Sequence, residues 1–396
     1  MGRCKVNHTD MLYKLFPLFL CLFSHYLTAA TLTIGYLGQQ REEIRPATAN
    51  LEPLYQDIGL RGVELGIEDN NTTGRFTGQQ FILLSAMLER DEDPSRAFYF
   101  LVKEGVRHIV VNLPATQLLK LAGLPESQQT LLYNAGAYDD GLRNENCRAN
   151  VLHTLPSYAM RADALGQYFL KKRWTDWFLV PGTREDDKNF AKALKRTATR
   201  FKLNIVKEKP WTHTYDARRT AQSEVAVFTQ GVDYDILLLA DEAGLFGDYF
   251  PYRTWLPRPV AGTQGLVATS WHPAHEQWGA VQLQNRFWEK AGRWMKPRDY
   301  AAWLAVRAIG EAATRTQSLD FHVINKYLLS DQLALAGFKG KPLSFRPWNG
   351  QLRQPILLSG PRAVVAVAPL EGYLHPVNEL DTLGYDKQES QCHLSR

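Results

Sequence analysis

Apolar and polar positions along this chain are grouped in blocks. A short apolar run, Thr31-Leu32-Thr33-Ile34-Gly35-Tyr36-Leu37-Gly38, leads through a polar loop to a helical stretch over residues 55–71. A second apolar run, Phe81-Ile82-Leu83-Leu84-Ser85-Ala86, follows. Strand, helix and strand with a crossover of that length predict a parallel βαβ unit. The alternation continues with a helix over 94–103, where Ala97, Phe98, Leu101 and Val102 share helical spacing, and a strand over 108–112. The loop 113–116 then enters a helix through Leu118, Leu119, Leu121 and Ala122, and a strand over 130–134 precedes the loop 135–141. Around 147–156 the pattern pauses. It restarts with a helix over 158–172, a strand over 176–180, a basic helix over 187–200, a strand over 203–206 and a helix over 217–229. The uniformly apolar strand 235–240 comes next and, after a Pro-rich connection, the run 260–267. The last third is first helical (282–291, 300–314, 321–328), then strand-like at 344–346, 354–358 and 363–367. The fold class predicted is α/β, with two doubly wound, Rossmann-like lobes.

The first thirty residues break this pattern. Lys5 and Lys14 precede an apolar core over residues 15–23, too short to span a bilayer, and Thr28-Ala29-Ala30 supplies small residues. Charge, apolar core and small residues in that order predict a secretory signal cleaved near Ala30. No later apolar run reaches membrane-spanning length. Of the four cysteines, cleavage removes Cys4 and Cys21 and leaves Cys147 and Cys392. In an oxidising compartment such a pair either forms one bridge or stays as two buried thiols; a bridge is expected, and it would pin the tail 385–396 to the loop around Cys147. Composition adds one exclusion. A formal charge of +5 on 396 residues, falling to about +3 without the signal, is mild and scattered, so nucleic acid is not an expected partner.

The search for catalytic spacing returns little. The chain has no Gly-x-Ser-x-Gly elbow, no P-loop and no His-Glu-x-x-His helix. His272-Pro273-Ala274-His275 lacks an accompanying carboxylate or cysteine set, and Gly35-Tyr36-Leu37-Gly38 lacks the third glycine of a dinucleotide fingerprint. No cofactor, metal or catalytic residue is therefore assigned. A secreted hydrolase using Asp241, Glu242 or the His272/His275 pair is the enzymatic alternative. The positive signal is topological: loops beyond the carboxyl ends of the strands, at 35–40, 113–116, 135–140, 181–187, 240–244 and 262–264, would face one another across a cleft. Several short segments crossing between the halves would form a hinge around it.

Thr33-Ile34-Gly35-Tyr36-Leu37-Gly38 and residues 61–71 (Arg-Gly-Val-Glu-Leu-Gly-Ile-Glu-Asp-Asn-Asn), together with Val151-Leu152-His153-Thr154-Leu155-Pro156-Ser157, residues 259–265 and Phe287-Trp288-Glu289-Lys290, resemble type I periplasmic solute-binding proteins. The similar branch is the leucine/isoleucine/valine-binding family of ABC-transporter receptors, and overall similarity points to a divergent subgroup associated with PQQ-dependent alcohol dehydrogenase systems. The resemblance implies a periplasmic, non-enzymatic monomer. It would hand a small organic solute, an amino acid or alcohol-derived compound, to a membrane permease; a ligand sensor feeding a signalling partner is the alternative. It also implies lobe 1 over 31–152 and 273–342, lobe 2 over 153–272 and 343–384, and a tail over 385–396. The ligand-binding positions expected are Tyr36, Ala115, Thr116, Ala137, Tyr138, Asp241, Glu242 and Gln264. Gln264 stands where the family commonly has an acid that holds an ammonium, with Asp241 or Glu242 placed to compensate. Tyr36, Tyr138 and Trp271 would suit an apolar or aromatic solute.

Overall fold

The computed structural model describes residues 30–40, 53–90, 92–212, 224–392 and 394. The signal segment, Cys4, Cys21, the polar loop at 41–52 and the start of the helix expected over 217–229 lie outside the described residues; residues 224–229 are helical.

The first sheet contains β1 (Ala30–Gln39), β2 (Gln79–Leu88), β3 (His108–Asn112), β4 (Leu131–Asn134) and β5 (Val151–His153), in the order β2-β1-β3-β4-β5. All four pairings are parallel. Its crossovers include α1 (Leu60–Thr77), α2 (Pro94–Lys103) and α3 (Ala115–Ala122). β3 and β4 are buried at every position, as a parallel sheet covered on both faces requires. The stretch 151–153 carries no strand signature in the sequence, because its three residues end in a histidine. It nonetheless pairs with β4.

After α4 (Tyr158–Lys172) the second sheet begins with β6 (Asp176–Pro181). Then come α5 (Glu185–Phe201), β7 (Asn204–Glu208), β8 (Ile236–Ala240), β9 (Val260–Gly262) and β10 (Leu266–Thr269). The run 260–267, with its loop expected at 262–264, is two neighbouring parallel strands. Gly262 has φ +110° and would press a Cβ to 2.1 Å from the Leu239 carbonyl oxygen, and Gly265 has φ +76°, so the chain turns between them.

Three helices follow, α6 (Ala280–Ala291), α7 (Pro297–Thr316) and α8 (Phe321–Leu328). They pack back against α1 and the first sheet. A small sheet of β11 (Leu335–Ala336), β12 (Pro342–Phe345) and β13 (Leu352–Arg353) leads to β14 (Ile356–Ser359) and β15 (Val364–Ala368). These last two join the second sheet antiparallel, giving the order β15-β14-β10-β9-β8-β6-β7.

The α1–α7 contact is set by small residues. A Cβ on Gly62 would lie 2.0 Å from the backbone oxygen of Asp299, and one on Gly66 would lie 2.8 Å from Val306. Gly62→Ala is therefore expected to lower unfolding free energy by about 1–3 kcal/mol through overpacking. A urea titration reads this, and an unchanged midpoint would show that the helices can slide apart freely.

The segments that cross between the sheets are stitched to one another. Gln351 Nε2 donates to the carbonyls of His153 and Leu155 at 3.2 Å each, and Gln354 Nε2 donates to Thr154 at 2.8 Å. Arg143, almost fully buried, donates from Nε to Gln351 Oε1 at 2.8 Å and from Nη2 to the Leu155 carbonyl at 2.8 Å. Cys147 and Cys392 form a disulfide that closes a sequence separation of 245 residues.

Candidate functional site

The loops after β3 and β4 form one wall of the space between the sheets, and they touch. A Cβ on Gly136 would come within 2.6 Å of the Leu113 nitrogen, so only glycine admits this approach. Asn134 shapes the second loop. Its Oδ1 accepts from the N–H groups of Gly136 and Ala137 at 3.1 and 2.9 Å, and its Nδ2 donates to the Ala137 carbonyl at 2.9 Å. Beyond them Tyr138 reaches the facing lobe.

Tyr138 lies between two guanidinium groups. Arg161, in the first turn of α4, sits 4.8 Å from its ring centroid, and Arg298, at the start of α7, sits 5.0 Å from it. Arg161 also lies 4.6 Å from the Phe190 ring centroid on α5 and 5.8 Å from that of Tyr158. Contacts of this kind contribute about 0.5–2 kcal/mol each, more where water is excluded. Arg161 is buried and pairs with Glu242 Oε1 at 2.8 Å, while its Nε donates to the Ala268 carbonyl at 3.1 Å. Burial opposes its charge, but Glu242, Tyr138 and Tyr158 together outweigh that and hold the guanidinium above its ordinary value. Arg298 differs. Its Nε donates to the Gly136 carbonyl at 2.8 Å, and among the described residues no carboxylate pairs with it.

Beside this cluster is a cavity of about 700 Å³. The first lobe contributes Ala115, Leu119 and residues 139–142 and 144–146; the second contributes Tyr158 and one face of α5 from Asn189 to Arg196. Tyr158 is almost fully buried, and its hydroxyl has no hydrogen-bond partner among the described residues. Asp139, half-buried on the same wall, is raised above the usual carboxylate range by burial. Asp140 is raised for the same reason, although Ser157 and the Ala159 N–H donate to it. α3 begins at this cavity with Pro114 in the cap position and no side-chain cap. Its first-turn amides are therefore open to an acceptor.

The residues expected from sequence divide into two groups. Ala115 lines the cavity, Thr116 is exposed next to it, and Tyr138 and Glu242 meet at Arg161. The other four are committed inside the protein. Tyr36 is in β1, not in a loop; it is fully buried, its hydroxyl donates to the Ile58 carbonyl at 3.1 Å, and Asn112 donates to it at 3.2 Å. The strand continues to Gln39, so most of the loop expected at 35–40 is sheet. Ala137 is buried with its N–H on Asn134 and its carbonyl taken by Asn134 and Arg143.

Asp241 is equally unavailable. Its carboxylate accepts from the N–H groups of Leu245, Phe246 and Gly247 at 2.7–2.9 Å, and burial still raises its proton affinity. Gln264 turns inward, donating to the Asp241 carbonyl at 3.2 Å and accepting from Thr263 Oγ1 at 2.5 Å. Trp271, read as part of the aromatic supply, is core: it stacks on Tyr300 at 4.6 Å and its Nε1 donates to Gln284. His275 is buried with Nε2 2.8 Å from the Phe338 carbonyl, and the His272 Nδ1 accepts from Ala274 N–H.

Asp187, outside the expected set, ties this region together. It accepts from Arg184 N–H at 3.1 Å and Glu242 N–H at 2.8 Å, yet burial, with Asp241 and Glu242 nearby, pushes it up to about 6. The sequence reading also passed over Arg161, Arg298 and Asp139. Arg298 lies just before the helix expected over 300–314, which places it in the chain but says nothing of its neighbours.

No protein-family profile and no curated protein matches this sequence. Solved structures do match in fold. A branched-chain amino acid ABC transporter periplasmic ligand-binding protein from Burkholderia xenovorans superposes with a TM-score of 0.68 at 17% identity, covering 91% of this chain and 99% of its own. A solute-binding protein of an ABC transporter from Rhodopseudomonas palustris, in complex with 3,4-dihydroxybenzoic acid, gives a TM-score of 0.61 at 13% identity, with 83% and 93% covered. The branched-chain amino acid transporter substrate-binding protein of Streptococcus pneumoniae, in complex with isoleucine, gives 0.62 at 13%, with 85% and 98% covered. The architecture is thus the two-lobe fold of type I periplasmic binding proteins.

Proposed function

We propose that this chain is an exported solute-binding protein that captures a small organic acid between its lobes and delivers it to an ABC-type membrane permease, without chemical turnover. The observation that carries the reading is the cavity of about 700 Å³ walled by both lobes, with Tyr138 held between Arg161 and Arg298 at its edge. That volume is of the size that small-molecule sites use. In this reading the signal segment is removed near Ala30, the exported protein acts in the periplasm as a monomer, and the lobes divide at 31–152 with 273–342 and 153–272 with 343–384.

Charge accounting supports a carboxylate ligand. Glu242 neutralises Arg161, whereas among the described residues Arg298 forms no ion pair and only senses the charge of Asp139, and the uncapped first turn of α3 adds partial positive charge. Thr116 supplies a hydroxyl donor and Tyr138 an aromatic face. Gln264 and Asp241 are both spent, so an amine or hydroxyl on the solute would be received by Asp139 on the cavity wall. The matched structures bind an aromatic acid in one case and an amino acid in another. The resemblance to a subgroup linked to PQQ-dependent alcohol oxidation makes alcohol-derived carboxylic acids the first compounds to test.

Calorimetric titration with a panel of aliphatic and aromatic carboxylates, their uncharged amides and leucine is the experiment. Binding of carboxylates and none of the amides is expected. Arg298→Met is expected to weaken binding about 10–100-fold, the equivalent of about 1.5–3 kcal/mol for a hydrogen bond to a charged group. Equal affinity for acids and amides, or an unaffected Met variant, would refute the anion assignment.

A further inference from the structure

The last described segment of the chain is fastened at its two ends to different lobes. At one end Gly384 N–H donates to Asp163 Oδ2 of α4 at 2.8 Å, and its carbonyl accepts from Arg196 and Arg200 of α5 at 3.1 and 3.0 Å. Arg196 also binds the Glu389 carboxylate at 2.7 Å and lies 4.2 Å from the Tyr385 ring centroid. At the other end Gln391 N–H donates to Asn144 Oδ1 at 2.6 Å, and Cys392 is bonded to Cys147 in the loop leading to β5. Between these anchors Tyr385, Glu389 and Gln391 line the cavity described above.

We propose that residues 384–392 form a covalent strap joining the two lobes, which closes one flank of the cavity and limits how far the lobes separate. Eight residues reach at most about 26–29 Å when fully extended, so the anchors cannot part further while both ends are fastened. The two anchors also differ in kind. The disulfide does not dissociate, whereas the Arg196 and Arg200 side chains at the other end are partly exposed and exchange with water. When that ionic end lets go, the bridge holds the tail nearby at an effective concentration on the order of millimolar, and it reseats. Without the bridge the tail is a free terminus that leaves the cavity wall. The proposal rests on the reading that the lobes move about their crossing segments.

Interlobe distance tests it. Fluorophores are attached through an azide-bearing residue introduced at each of the exposed positions Lys103 and Lys207, one on each lobe, and transfer is measured on single molecules. The folded protein is then treated with tris(2-carboxyethyl)phosphine, which converts the bridge to two thiols as the phosphine takes oxygen from water to give its oxide. The distance distribution is expected to broaden and shift to longer values on reduction, in Cys392→Ser, and in the double variant R196Q/R200Q under oxidising conditions. If Cys392→Ser does not fold, reduction of the folded wild type carries the result. An unchanged distribution in the reduced protein overturns the strap. Contraction of the oxidised protein on addition of the carboxylate panel reads solute binding separately. Contraction with no widening on reduction refutes only the strap, and widening with no solute binding refutes only the proposed function.

Discussion

Replacing Asp381 with alanine is expected to remove about 3–5 kcal/mol of unfolding free energy, with a lower urea midpoint and an unchanged slope. Asp381 is buried and serves two arginines. Arg346 Nε donates to its Oδ1 at 2.8 Å, and Arg353 grips both oxygens, Nε to Oδ1 at 2.8 Å and Nη2 to Oδ2 at 3.0 Å. The Arg346 side chain is only 1% exposed. Its Nη2 donates to the carbonyls of Leu380 and Leu383 at 2.9 and 2.8 Å, and burial pushes its proton affinity down even with Asp381 beside it. Such a site need not be stabilising as a whole, because removing three charged groups from water costs nearly what their attraction returns. Removing the carboxylate alone is different. It leaves two like charges side by side with only neutral acceptors, backbone carbonyls and the Ser344 hydroxyl, for hydrogen-bond partners. Asp381→Asn keeps the shape and one acceptor and is expected to fall between the two. An alanine variant within about 1 kcal/mol of wild type, far below that cost, would show that water reaches Arg346.

The consequence extends past stability. Asp381 fixes residues 379–384 against Arg346 and Arg353, at the end of β12 and in β13, and those residues set where the strap begins. The small sheet that carries both arginines also carries Gln351, which bonds the crossing at 153–155. Hinge, strap origin and cavity wall therefore share one buried ionic centre, and loosening it is expected to blur the interlobe distance distribution even where the bridge is intact.

Most of this architecture is legible in the chain, for a simple reason. The strands of parallel sheets are apolar throughout, so runs such as residues 108–112 and 236–240 stand out between helices of different period. The exception is local. β5 is too short to show a period. The candidate site is less legible. Loop position offers Ala115, Thr116, Tyr138 and Glu242 as candidates near the strand ends, but not which polar groups remain unspent. Asp241 and Gln264 occur where a ligand contact is expected, and both are consumed by the backbone of their own loops. Arg161 and Arg298 occupy the first turns of helices, where a charged residue is usually solvated. Only the packing of Tyr138 against both shows otherwise. Spacing along a chain reports which face a residue occupies; it does not report what its neighbours have already claimed.

The second large effect is acid sensitivity arising from a histidine far from the cavity. His108, on β3, is fully buried, with Nδ1 3.0 Å from the Tyr133 hydroxyl, its ring 5.2 Å from that of Phe321, and Nε2 without a hydrogen-bond partner among the described residues. Burial pushes the imidazole down to about 3, from 6.5 in the unfolded chain. Between those values the unfolded state holds a proton that the folded state refuses. The stabilisation is therefore complete above pH 6.5 and is lost progressively as pH falls toward 3. At pH 5 the loss is about 2 kcal/mol. Asp187 works in the opposite sense: raised to about 6, it takes a proton in the folded state first, and so adds stability as pH falls from 6 toward 3.8. The two partly cancel in wild type, and the test is a difference. Urea midpoints of wild type and His108→Gln, a neutral side chain that can still bond Tyr133, are compared at pH 7.5 and 5.0. The variant is expected to lose less stability than wild type on acidification, by about 2 kcal/mol. Identical losses in the two proteins would mean that His108 is protonated in the folded state at pH 5, and that the β3 core admits water.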